Sequence, residues 1–229
     1  MSDPEIKAKL LQAAKNHVPF DGWGEATFRA AIEDTGVEPG LARAVFPRGG
    51  VGLALAYHEA GDIDMLAAIE AADLTEMKFR DRIAFAVRAR LDAVEDKELV
   101  RRGMALFALP LYAADGAHAV WKTCDRIWVA LGDTSNDINW YTKRMTLSGV
   151  YSATVLYWLG DDSPGHQATT EFLDRRIEDV MQFEKFKAQM RENKLMNSVM
   201  AGPLAFLGRI RAPQGGQHTG MPGRWNGPQ

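Results

Sequence analysis

Apolar residues recur at three- and four-residue steps along most of the chain, the spacing of helices with one buried face. The pattern predicts helices over residues 5–17, 25–34, 38–46, 51–72, 75–94, 99–109, 113–131, 137–160 and 167–189, and a further amphipathic helix over 194–211. Gly61 and Asp62 mark a candidate break in the fourth of these. No stretch alternates apolar and polar residues for long enough to indicate a strand. The sequence therefore predicts an all-α protein of nine to ten helices without internal repeats.

The predicted helix over residues 137–160 mixes aromatic and charged side chains. Asp137 is placed to cap its amino end and Gly160 its carboxyl end. Trp140, Arg144, Leu147 and Tyr151 follow helical steps, and Trp, Tyr and Arg are the residue types that anchor interfaces. Two interpretations stay open at this point: a central core helix with a polar start, or a helix whose first two turns face a partner.

The N-terminal segment has the layout of a helix-turn-helix. A helix, a turn with glycine and a short helix follow one another over residues 25–46, and the pattern from Ala31 to Val37 resembles the N-terminal module of TetR-type regulators. Residues 1–60, however, hold six cationic and eight acidic side chains, a net charge of −2. A DNA-binding module is normally basic on its docking face. The module is therefore predicted to be degenerate, with no nucleic acid bound.

Residues 194–211 combine an apolar side with basic residues. Residues 185–211 carry six cationic side chains and one acidic one, a net charge of +5, which is typical of a membrane-surface helix. The alternative is a helix packed on the body or on a second copy. The candidate membrane residues are Lys194, Leu195, Val199, Met200, Leu204, Phe206, Leu207, Arg209 and Arg211. Residues 212–229 lack an apolar period and are predicted to be disordered.

Composition adds few restrictions. The chain has 229 residues, a formal net charge of −3 and a single cysteine, Cys124. No apolar run is long enough to span a membrane, and the first residues resemble neither a secretory signal nor an Arg-rich leader. We therefore expect a cytoplasmic protein, peripheral at the inner face of a bacterial plasma membrane.

The sequence holds no recognisable catalytic motif. The five histidines are scattered without metal-ligand spacing, and neither a nucleophile elbow nor a phosphate loop is present. We therefore predict a protein that is not an enzyme and holds no cofactor or metal. All-α domains of this layout hold ligands between their central helices. The candidate lining residues for a lipid are Trp121, Trp128, Leu147, Tyr151, Leu156 and Trp158.

The stretch from Gly132 to Arg144, Gly-Asp-Thr-Ser-Asn-Asp-Ile-Asn-Trp-Tyr-Thr-Lys-Arg, resembles the signature of the coenzyme Q biosynthesis accessory family, the ninth member of the COQ set. The resemblance extends over about residues 5–211. It implies a TetR-like fold, isoprenoid lipid binding, a homodimer and cooperation with the di-iron demethoxyubiquinone hydroxylase. It also carries a partner-binding role onto Asp137, Asn139, Trp140, Tyr141, Lys143 and Arg144.

These observations give one hypothesis and two rivals. Residues 1–50 are expected to form the helix-turn-helix-like module, 51–190 the lipid- and partner-binding body, 191–211 the membrane-associating helix and 212–229 the tail. The protein would take a ubiquinone precursor from the membrane and present it to the hydroxylase. The rivals are a TetR-like transcriptional regulator that senses a lipid, and a structural dimer without a ligand.

Overall fold

The computed structural model describes residues 2–192, with side chains as far as residue 183. These residues contain no strand, and their helices are α1 (Asp3–Asp21), α2 (Glu25–Thr35), α3 (Pro39–Val45), α4 (Gly50–Ala71), α5 (Phe79–Asp92), α6 (Lys97–Phe107), α7 (Ala113–Ala130), α8 (Ile138–Leu159) and α9 (Gln167–Glu192). The all-α prediction is confirmed. The predicted membrane helix over 194–211 and the tail over 212–229 lie outside the described residues.

Two helices differ from their predicted course. Helix α5 begins at Phe79 rather than near residue 75, because the preceding residues form a separate turn. In that turn Asp73 accepts hydrogen bonds from the amide and the hydroxyl of Thr75, at 3.1 and 2.6 Å. The Arg82 side chain then donates to the carbonyls of Met77 and Thr75 at 3.0 Å each. Helix α4, in contrast, runs through Gly61 and Asp62 without a break.

The chain divides into two compact units. The first comprises the residues up to Ala68 together with Ala89–Ala119. Its core packs α1 against α2, α3, α4 and α6, and the buried side chains include Leu10, Val18, Trp23, Phe28, Phe46, Leu53 and Leu99. The indole of Trp23 donates a hydrogen bond to the Leu99 carbonyl at 2.9 Å, which ties the turn after α1 to α6.

A buried ion pair joins two helices of the first unit. Arg90 Nε lies 2.8 Å from Asp62 Oδ1, and Arg90 Nη2 donates to the His58 carbonyl at 3.0 Å. A Cβ atom at Gly61 would lie 2.6 Å from Arg90 Nη1. Glycine at position 61 therefore leaves room for the guanidinium against α4.

The helix-turn-helix layout is present in the first unit as α2, a turn at Gly36 and the short α3. Two arginines of the first unit, Arg43 in α3 and Arg48 just after it, are engaged by carboxylates of the same unit. Arg43 pairs with Glu25, and Arg48 forms two bonds to Asp115 at 2.7 and 2.8 Å. These pairs reduce the charge that the module presents to a phosphate backbone.

The second unit comprises Ile69–Arg88 and the described residues from Val120 onward, and α8 packs against α9 within it. Asp137 caps α8 by accepting a hydrogen bond from the Asn139 amide at 2.9 Å, and Gly160 stands at its carboxyl end, as predicted. The carboxylate of Asp161 accepts from the amide and the hydroxyl of Thr169 at 2.8 and 2.5 Å. Hydrogen bonds from Ser163 and Thr169 hold the pKa of Asp161 well below its usual range.

Candidate functional site

The Arg144 guanidinium is buried in the second unit. Its side chain is 1% exposed, and it lies between two carboxylates. Nε lies 2.5 Å from Asp125 Oδ1 on α7, and Nη1 lies 3.0 Å from Asp133 Oδ2 in the loop before α8. The same Nη1 donates to the Trp140 carbonyl at 3.1 Å. This arginine therefore holds α7, the loop and the first turn of α8 together.

Asp133 is shared by two cations. Lys143 Nζ lies 2.7 Å from Asp133 Oδ1 and also 2.7 Å from the Ser135 hydroxyl. Burial by itself raises the pKa of Asp133, but the hydrogen bonds from Lys143, Ser135 and Arg144 outweigh it and lower this pKa to about 2. Asp133 is consequently ionised at neutral pH and neutralises charge on both Lys143 and Arg144.

The six residues that the resemblance marks as a partner-binding surface differ in their exposure. Trp140 is 3% exposed and Arg144 1%, so neither side chain lies on the surface of this chain. The Trp140 ring packs against Trp121 at 5.9 Å between centroids, and Arg144 Cζ lies 4.1 Å from the centre of the same ring. The expectation that these two face a partner is therefore not met: their step of four residues points both toward α7.

The remaining four residues are accessible to different degrees. Asn139 is exposed, whereas Asp137, Tyr141 and Lys143 are partly buried. The Asn139 side chain donates to Asp137 Oδ2 at 2.9 Å, and the ring of Tyr141 stands edge-on to Trp140 at 4.7 Å. A partner that approached the start of α8 would meet Asn139, Tyr141 and Lys143.

A cavity of about 250 Å³ opens beside this part of α8. Helices α5, α7, α8 and α9 line it with Phe79, Arg80, Ile83, Trp128, Asn139, Thr142, Lys143, Thr146, Leu147, Val150, Ile177, Val180 and Met181. The rings of Phe79 and Trp128 stack at 5.5 Å, and Lys143 Nζ lies 5.1 Å from the centre of the Trp128 ring. The lining is thus largely apolar, with polar groups from the first turns of α8.

The cavity contains two of the six residues proposed for lipid binding, Trp128 and Leu147. Trp121, Tyr151 and Trp158 are buried elsewhere in the unit, at 3–5% exposure, and Leu156 is 59% exposed. Trp158 packs on the ring of His166 at 6.0 Å rather than on the cavity. The sequence pattern placed the six residues on two helices but did not indicate which neighbour each side chain would meet.

Most of the lining was not predicted as a site. Asn139 and Lys143, named for partner binding, also line the cavity, so residues from both predicted sites meet there. The contributions of α5 and α9 were missed. Their signal is an apolar period of three or four residues, Phe79 with Ile83 and Ile177 with Val180 and Met181.

Metal ligands and membrane-spanning helices are both absent from the described part of the chain. No group of three or more His, Cys, Asp or Glu side chains there is arranged to hold a metal ion. His58 and Asp62 lie 3.8 Å apart, but Asp62 is engaged by Arg90. No helix in the same residues combines the length and the hydropathy that crossing a bilayer requires.

The arrangement of helices defines the class of fold. A TetR transcriptional regulator from Nitrosomonas europaea superposes with a TM-score of 0.63 at 18% sequence identity, over 76% of this chain and 97% of that one. The TetR-like fold is thereby confirmed. At this identity the likeness concerns the fold alone.

Comparison of the sequence with known proteins points to one family. The COQ9 family model matches residues 113–184, which include α7, α8 and the Asn139–Arg144 motif. The mitochondrial ubiquinone biosynthesis protein COQ9 of Drosophila melanogaster is 33% identical over 189 residues, covering 80% of this chain and 58% of the relative. That of Rattus norvegicus is 28% identical over 191 residues, covering 79% and 60%. These matches confirm the resemblance to the COQ9 family that the motif indicates, for a chain that spans about 60% of the length of these relatives.

One expectation is corrected by these relatives. We expected a location at the inner face of a bacterial plasma membrane, yet the matched proteins of Drosophila melanogaster, Dictyostelium discoideum and Rattus norvegicus are all named as mitochondrial. The expectation rested on the absence of an Arg-rich leader at residue 1. The start of a sequence that spans only part of its relatives is not a basis for assigning a compartment.

Proposed function

We propose that this protein serves ubiquinone biosynthesis without catalysing a step, as a lipid-binding accessory protein. It takes an isoprenoid quinone precursor from a membrane and presents it to the demethoxyubiquinone hydroxylase. The membrane contact is assigned to the basic amphipathic segment of residues 191–211, on the strength of its sequence. A homodimer is part of the proposal because the family resemblance implies one.

One observation carries this proposal: the cavity and the family motif share the same turns of α8. Asn139 and Lys143 belong to the motif and also line the cavity. Ligand pockets are typically concave and mostly apolar, with a few polar groups that set orientation. A lipid in this cavity would lie against the residues that the family resemblance assigns to the hydroxylase, which suits direct transfer between the two proteins.

Filling the cavity tests the lipid part of the proposal. Thr146 lines the cavity, whereas the adjacent Met145 is 58% exposed and does not line it. Native mass spectrometry with lipid extraction should recover an isoprenoid quinone or precursor from the wild type and from Met145→Trp, but not from Thr146→Trp. Equal recovery from both variants would place the lipid elsewhere. Failure of the wild type to take up lipid from quinone-loaded liposomes would refute lipid binding.

The hydroxylase part needs variants that keep the fold. Trp140 and Arg144 are unsuitable because they are buried, so Tyr141→Ala is compared with Tyr157→Ala, an exposed tyrosine on the same helix. Capture of purified hydroxylase should fall for Tyr141→Ala and stay at the wild-type level for Tyr157→Ala. An unchanged yield for Tyr141→Ala, with circular dichroism matching the wild type, would remove this surface from the proposal.

A further inference from the structure

We propose that carboxylates behind the cavity make it select uncharged amphiphiles over anionic ones, with Glu178 and Asp133 as the specificity-determining residues. This inference rests on the proposed lipid binding and concerns the head group of the ligand. Arg80 and Lys143 are the ionisable residues among the described lining, and no carboxylate lines the cavity directly. Without carboxylates nearby, two cations lining an apolar cavity would favour a ligand with a phosphate or carboxylate head group.

Each of the two cations is paired with a carboxylate that does not line the cavity. Arg80 Nη1 lies 3.3 Å from Glu178 Oε2, and Arg80 Nε lies 3.3 Å from Asp81 Oδ1. Lys143 Nζ lies 2.7 Å from Asp133 Oδ1, and the hydrogen bonds around Asp133 keep that carboxyl ionised.

The cations beside the cavity belong to two ion-pair groups, and neither group has excess positive charge. Arg80 with Asp81 and Glu178 sums to −1. Lys143 and Arg144 with Asp133 and Asp125 sum to zero. An anionic head group would leave water to meet cations that are already paired with carboxylates, and that step is unfavourable. A neutral head group avoids this cost.

Neutral hydrogen-bonding groups lie along the same side of the cavity. Asn139, Thr142 and Thr146 follow one another at helical steps on α8 and all line it. The Asn139 amide nitrogen is engaged by Asp137 and the Thr142 hydroxyl donates to the Asn139 carbonyl at 3.3 Å. No hydrogen bond to another described residue is found for the Thr146 hydroxyl. These groups suit carbonyl and hydroxyl substituents of an uncharged ring.

The size of the cavity agrees with a ring rather than a whole lipid. An apolar cavity of about 150 Å³ admits benzene. A cavity of about 250 Å³ therefore has room for one substituted ring and the start of a chain. The end of the ligand that enters the cavity is the end whose charge would interact with these ion pairs.

The test compares two ligands that share a tail. Geraniol and geranyl phosphate differ in the charge of the head group, and an equimolar mixture is bound competitively to the full chain and read by native mass spectrometry. The wild type should bind geraniol in preference. In Glu178→Gln, which removes one of the two carboxylates paired with Arg80, the ratio of geranyl phosphate to geraniol should rise about five-fold over the wild type. Intrinsic differences between the ligands cancel in that comparison.

Two further variants assign the effect. Asp174→Asn on α9 removes a carboxylate that is exposed and outside the lining, and its ratio should match the wild type. Arg80→Gln combined with Glu178→Gln should return the ratio to the wild-type value, because the Arg80 guanidinium is gone. Thermal unfolding of each variant verifies that it is folded.

The outcomes separate this inference from the proposed function. Binding of geraniol with an unchanged ratio in Glu178→Gln, or a wild-type preference for geranyl phosphate, would overturn the charge selection and leave lipid binding in place. Binding of neither ligand, with no lipid recovered from quinone-loaded liposomes, would refute the lipid proposal itself.

Discussion

At the scale of single residues, Arg144 and its carboxylate partners form a network in the interior of the protein, although the motif that contains Arg144 was expected on the surface. Arginine is rarely fully buried unless it is paired. Here Asp125 and Asp133 provide the pairing, and removing one partner of such an arrangement typically costs about 3–5 kcal/mol because a buried charge is left behind. The position of Arg144 is thus a matter of stability before it is one of recognition.

Asp133 gives this network a defined pH dependence. Its pKa is about 2 in the folded protein against 3.8 for the free group, so its contribution, about 2 kcal/mol, is complete above the unfolded value and is lost as the pH falls from about 4 toward 2. Urea unfolding of wild type and Asp133→Asn should differ at pH 6 and converge in that window. Asp174→Asn, an exposed carboxyl, is the control. A gap that stays constant down to pH 2 would contradict the prediction.

The sequence singled out Trp140 and Arg144 but not the carboxylates that pair with Arg144. Trp140 and Arg144 follow helical steps, and the types Trp and Arg occur both in interfaces and in paired interiors. The partners of Arg144 lie 11 and 19 residues away, on a loop and on another helix. Only the packing of α8 on α7 decides between the two interpretations, and no period in one helix contains that information.

At the scale of helices, periodicity was the more successful guide. It predicted the helices of the described residues, and the one late start, at Phe79, depends on the side chain of Arg82 reaching back to Thr75 and Met77. Such a contact acts over five to seven residues and overrides local propensity. The candidate break at Gly61 failed for a related reason, because there glycine provides space for Arg90 rather than a turn.

Two glycines inside helices test that explanation. Alanine at either site gains about 0.5–1 kcal/mol of helix propensity. A Cβ at Gly149 on α8 meets nothing within 4 Å, so Gly149→Ala should raise the free energy of unfolding. At Gly61 the Cβ would meet Arg90, which cannot withdraw without breaking its buried ion pair with Asp62. That contact should cost about 1–3 kcal/mol, more than the propensity gain, so Gly61→Ala should lower the free energy of unfolding.

Urea denaturation of both variants provides the comparison. Since the propensity gain is the same, the difference between the two variants isolates the contact with Arg90. Equal stabilisation by both substitutions would mean that Arg90 moves aside without cost.

At the scale of the whole molecule, this protein shares the fold of its structural neighbour, but the charge of its N-terminal segment argues against the function of a transcriptional regulator. The TetR-like fold and the helix-turn-helix layout are both present, yet residues 1–60 carry a net charge of −2, and Arg43 and Arg48 are paired with Glu25 and Asp115. Non-specific DNA binding depends on cations that are available to phosphates. The fold was predictable from the sequence because it follows from helix order, whereas the cavity depends on where α5, α7, α8 and α9 meet.

The electrophoretic mobility of duplex DNA at low salt tests whether the protein binds DNA. The wild type should cause no retardation. The double variant Glu25→Gln with Asp115→Asn, which releases both arginines, should cause weak retardation that disappears as salt is raised. Strong, salt-resistant binding by the wild type would instead favour the regulator.

The burial of Arg144 and Trp140 also determines how inherited or engineered changes in the motif would appear in a cell. A loss of about 1–2 kcal/mol already alters the steady-state amount of a protein several-fold, because unfolded chains are degraded. Substitutions at these two residues would therefore act through abundance, whereas substitutions at the exposed Asn139 would leave the amount of protein largely unchanged and alter what each molecule does. A phenotype that maps to this motif has two origins, and immunoblotting is sufficient to distinguish them.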